Sequence, residues 1–68
     1  MMVALAELVE TRVRQATHDR IRSLTVEEDH GLVSIRGRTA TYHAKQLALQ
    51  GALELLTWDR LSYEITVG

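Results

Sequence analysis

Residues 29 to 38 read Asp-His-Gly-Leu-Val-Ser-Ile-Arg-Gly-Arg, and the use made of the two glycines decides the fold. Glycine serves where a backbone needs positive φ or close approach by another group, so Gly31 and Gly37 suit either a phosphate cradle or a hairpin. A P-loop needs a Lys followed by Ser or Thr after its glycines, and a dinucleotide fingerprint needs three glycines opening a helix. Here no Lys follows Gly37 and no helix starts there. The residues between the glycines alternate instead, with Val33, Ile35 and Gly37 on one side and Leu32, Ser34, Arg36 and Arg38 on the other, which is strand spacing.

Upstream, Ile21 to Glu28 carries Leu24 and Val26 on one face and Ser23, Thr25 and Glu27 on the other. Ile21 is out of phase and is expected to cap the core where the chain enters the strand. Only Asp29, His30 and Gly31 separate the two strands, so they form a hairpin with Gly31 in the left-handed position of a short turn.

Outward from the hairpin, Val3 to Thr17 has apolar residues at Leu5, Leu8, Val9, Val13 and Ala16, the spacing of an amphipathic helix. Glu10 and Arg14 are four apart and suited to pair. Arg12 falls inside the apolar arc, where it must snorkel along the core edge or find a carboxylate. After the hairpin, Thr39 or Thr41 can cap a helix reaching to about Leu56. Ala44, Ala48, Gly51, Ala52 and Leu55 form one stripe of this helix; Tyr42, Leu49, Leu53 and Leu56 form another on roughly the opposite side.

That apolar arc is wider than one sheet or one helix covers, so part of it must face something else. The small-residue stripe is expected to approach the sheet closely, with Gly37 giving it room, which leaves the leucine stripe over. Finally, Leu61, Tyr63, Ile65 and Val67 alternate with Ser62, Glu64 and Thr66 as a third strand. The expected class is α+β: an αββαβ two-layer sandwich with two helices on one face of a three-stranded mixed sheet. That face holds Val26, Val33, Ile35, Tyr63, Ile65 and Val67.

The 68 residues form a single domain, and a core this small leaves a slim stability margin. There is no cysteine, so neither disulfides nor thiolate metal sites can reinforce it, and self-association as a homodimer is the natural way to bury more apolar surface. Eight Lys or Arg against nine Asp or Glu give no whole-domain field toward nucleic acid or anionic lipid. The apolar opening has no basic region before it and is broken by Glu7 and Glu10, unlike a signal peptide or membrane span. A cytoplasmic location is expected, or a periplasmic or envelope one if an export signal lies upstream.

His18, His30 and His43 are scattered over a helix end, a turn and a helix start, with no zinc spacing, and the run Glu27, Glu28, Asp29, His30 lacks the alternating ligands of a calcium loop. No nucleophile has a base at a spacing that local structure would bring together. No enzyme activity, metal or cofactor is therefore expected. Arg36 and Arg38 share the outward face of the second strand, with Arg22 beside them, but Glu27 and Glu64 share that face and it has no aromatics for stacking bases. Cross-strand pairing explains these arginines more simply than nucleic-acid binding. Trp58, in Leu-Leu-Thr-Trp-Asp-Arg-Leu, is read as a core plug, the alternative being an interface or membrane-surface contact beside the leucines.

From Leu24 to Val67 the chain resembles the BON domain, a small module of bacterial envelope and stress proteins. The resemblance rests on Gly31, Val33, Ile35 and Gly37, then Ala44, Ala48 and Ala52, then Leu61, Ile65 and Val67. The chain departs from the family pattern at two points: Thr57 and Trp58 stand where Gly-Val usually enters the last strand, and Tyr63 stands where that strand usually has Asn. The resemblance implies the same αββαβ sandwich and a non-catalytic role in contacts with phospholipid or partner proteins. The expected function is a non-enzymatic, self-associating interaction module whose contacts involve Leu49, Leu53, Leu56 and Trp58, with phospholipid binding as the alternative and weak nucleic-acid binding through the arginine face as the third reading.

Overall fold

A computed structural model describes residues 4–68. The elements run α1 (Leu5–Ala16), β1 (Arg22–Asp29), β2 (Leu32–Thr39), α2 (Tyr42–Leu53), a 3₁₀ turn (Trp58–Arg60) and β3 (Leu61–Val67). The fold is α+β, with two helices against a three-stranded mixed sheet. The sheet order is β1-β2-β3; β1 pairs antiparallel with β2, and β2 pairs parallel with β3. Val3, expected in the first helix, lies outside the described residues.

The hairpin turn consists of His30 and Gly31, between the paired residues Asp29 and Leu32. Both turn residues have positive φ, 52° and 85°, as in the mirror-image turns that match strand twist. Gly31 bears this at no steric cost, and its N–H donates to the Glu28 carboxylate at 3.0 Å. The glycine expected to turn the chain does so.

Gly37 has a different neighbour from the one expected. A Cβ built there would lie 2.5 Å from the Ile21 side chain and 3.7 Å from the Leu24 Cα. The missing side chain thus admits Ile21, which caps the core at the entry to β1, rather than the alanines of α2. The close approach of α2 is made at Gly51 and toward α1: a Cβ on Gly51 would lie 2.8 Å from the Ala16 Cβ and 3.3 Å from the Arg12 carbonyl oxygen.

The core consists of Val9, Val13, Ile21, Val33, Ile35, Ala48, Ala52, Leu56, Leu61 and Ile65 and contains no aromatic ring. Burying Val9 and Val13 completely contributes roughly 1.5–3 kcal/mol each. α1 lies over β1, and α2 lies over β2 and β3. The Thr41 hydroxyl caps α2 by accepting from the Ala44 N–H at 3.1 Å. Buried Thr39, the other candidate cap, instead donates its hydroxyl to the Thr41 carbonyl at 2.7 Å. Arg12 finds its carboxylate on the neighbouring helix, donating to Glu54 from Nε at 3.0 Å and from Nη2 at 2.6 Å. Arg14 pairs with Glu10, as its spacing predicts, and also with Asp19, and these acceptors raise the guanidinium pKa still further.

Candidate interaction surface

α2 ends at Leu53, one turn before the expected Leu56, and this changes what lies on its outer face. The chain tightens through Glu54 and Leu55, with the Leu55 and Leu56 N–H groups both donating to the Ala52 carbonyl at 3.0 Å. The tightening exposes Leu55, expected on the buried small-residue stripe, and turns Leu56 into the core at 8% exposure. Leu56 is thus removed from the expected contact surface, while Leu49 and Leu53 stay on it, half-buried at the core edge.

The 3₁₀ turn then leads into β3. The Thr57 hydroxyl bonds the Asp59 carboxylate, and this bond, followed by the Asp59 backbone N–H, holds the Asp59 carboxyl below its usual pKa. The turn directs Trp58 outward. It is 60% exposed, so it is not the core plug that its size predicts.

β3 is an edge strand, which changes the environment of two residues expected inside. Tyr63 registers with Ile35 and Val67 with Thr39, on the helix side of the sheet, but α2 does not extend past the edge to cover them. Tyr63 is 44% exposed and Val67 is exposed too. Tyr42, at the start of α2, is 62% exposed.

The chain's only aromatic residues, Trp58, Tyr42 and Tyr63, therefore meet on one surface. The Trp58 and Tyr63 ring centroids are 6.3 Å apart, with the planes tilted by 58°. Lys45 places its Nζ 5.7 Å from the Tyr42 ring centroid and 5.8 Å from that of Tyr63, the range of a cation–π contact with each. Beside the rings, Gln46, Leu49, Gln50, Leu53 and Trp58 line a shallow open groove of about 250 Å³. Tyr42, Lys45, Leu49 and Leu53 fall within one helical arc, so α2 and β3 build the surface together.

Of the residues expected on a contact surface, Leu49, Leu53 and Trp58 line the groove, and Tyr42, Lys45 and Tyr63, which were not expected there, lie beside them. Tyr42 did carry a signal, since it headed the stripe containing the two leucines.

On the opposite face of the sheet Arg36 donates to Glu64 at 3.3 Å, the cross-strand pairing its position predicts, and Arg22 registers beside Arg38. No aromatic ring lies on that face. Among the described residues, no three His, Asp or Glu side chains gather as a metal site, and no helix is long and apolar enough to cross a membrane. In comparisons with known proteins, no family model, curated protein or solved structure matches the chain.

Proposed function

We propose that this chain is a non-enzymatic interaction domain that self-associates through the α2–β3 surface formed by Tyr42, Lys45, Leu49, Leu53, Trp58 and Tyr63. The observation that carries this reading is that every aromatic ring lies exposed on that surface while the core has none. Trp and Tyr are the residues that interfaces concentrate, because each buries a large area at little conformational cost. A 68-residue chain with a purely aliphatic core gains most from covering them. The resemblance to the BON domain supports the same class of role. Of the residues that depart from its pattern, Thr57, Trp58 and Tyr63, the latter two are the rings brought side by side.

Contact with a phospholipid surface is the second reading, favoured by the combination of Trp, Tyr and Lys with the half-buried leucines. A cytoplasmic location is part of the first reading.

Sedimentation of the chain and of Trp58→Ser from micromolar to millimolar concentration, alongside liposome co-sedimentation, tests both. Self-association predicts a dimer that Trp58→Ser weakens at least tenfold, with no pelleting. A monomer at every concentration that pellets with vesicles, with a blue-shifted Trp58 emission, supports the lipid reading instead.

A further inference from the structure

The two edges of the sheet differ. β1 carries Arg22, Glu27, Glu28 and Asp29 among its eight residues, Ser23 has φ 54°, and its register breaks between Arg22 and Thr25. Charge and irregularity of this kind are how natural sheets keep an edge from pairing. β3 has neither. It runs seven residues in unbroken register with β2, and its only charge, Glu64, is held by Arg36 on the sheet's outer face. The bare edge is also the one that borders the aromatic surface.

We infer that β3 pairs antiparallel with β3 of a second copy of this chain, joining two three-stranded sheets into one of six strands. This deepens the self-association reading and rests on it. Residues directly opposite in an antiparallel pair point to the same face, so the two-fold axis passes beside a residue and not between two. An axis at Glu64 would set two carboxylates face to face, which is destabilising. An axis at Tyr63 sets Tyr63 against its own copy, Leu61 against Ile65, and Ser62 against Glu64, so the two Glu64 carboxylates are kept apart, while each Lys45, 5.8 Å from the Tyr63 ring, stays over its own aromatic rings.

The helices fit the same arrangement. With strands about 4.8 Å apart, two α2 helices, each seated over its own β2–β3 pair, lie roughly 10 Å from one another, close to an ordinary helix–helix packing distance. The stripe each would turn to the other is Tyr42, Lys45, Leu49 and Leu53, on the side of α2 away from α1. Half-exposed rings of the 150–250 Å² class give on the order of 300 Å² per copy from the three aromatics. With the leucines, Val67 and the edge backbone, this approaches the roughly 600 Å² per partner at the low end of specific interfaces.

Backbone hydrogen exchange by NMR on the unmodified chain, at micromolar and millimolar concentration and with sedimentation on the same samples, tests the inference. Edge pairing predicts a dimer in which alternate β3 amides between Leu61 and Ile65 exchange at least tenfold more slowly at the higher concentration, while β1 amides do not change. A dimer whose β3 amides exchange at the monomer rate overturns edge pairing and leaves self-association standing through the helix face. Monomer at both concentrations overturns both.

Discussion

Trp58 and Tyr63 lie side by side on the surface, 6.3 Å between ring centroids, although strand alternation turned Tyr63 inward and the size of Trp58 favoured a core plug over the contact surface. Their exposure separates folding from binding. The substitution Trp58→Ser should leave the unfolding free energy of the monomer, followed by urea denaturation at low concentration, within about 0.5 kcal/mol of the parent. A core tryptophan would lose about 3–5 kcal/mol on truncation.

The two helices are tied by Arg12 and Glu54, both substantially exposed. A double-mutant cycle with Arg12→Ala and Glu54→Ala should return a coupling of about 0.5–1 kcal/mol, in the range for exposed pairs. The coupling should shrink as salt is added.

Gly51 sits where α2 presses on α1, so a methyl group there opposes helix propensity with a steric clash. Gly51→Ala gains about 1 kcal/mol in propensity but places its Cβ 2.8 Å from that of Ala16, and overpacking costs about 1–3 kcal/mol. Net destabilisation is expected in urea melts. Adding Ala16→Gly should recover part of the clash term and so restore stability more than Ala16→Gly costs elsewhere in the chain.

His30 occupies the first turn position with φ 52°, a region that costs most residues energy and that Asn tolerates better. His30→Asn should raise the urea midpoint, by about 0.5 kcal/mol in stability, with an unchanged slope.

The fold was legible because its signals are local. The alternation of Leu32 to Arg38, Gly31 at a two-residue turn, and the Val9 and Val13 spacing each act through near neighbours. The candidate surface was only half legible because it depends on where elements end and which strand lies outermost. Leu56 reads as the next member of the leucine stripe, but α2 stops at Leu53 and the tightened turn buries it. Tyr63 reads as an inward strand residue and is one, but β3 is the edge, and the helix above it ends its cover short of the ring. Gly37 reads as room for a helix, and the room is taken by Ile21. For Tyr63 and Gly37 the residue's face was readable and its neighbour was not; for Leu56 the early end of the helix changed the face itself.

Trp58 is the chain's only tryptophan, so its emission reports on the proposed surface without labelling. Acrylamide quenching of Trp58 over a micromolar to millimolar concentration series is the most direct test of whether that surface is what a second copy covers. Self-association through α2 and β3 predicts a quenching constant that falls several-fold as dimer forms, with the same midpoint as sedimentation. A constant that stays at the exposed value while the chain dimerises, or while it remains monomeric throughout, would contradict it.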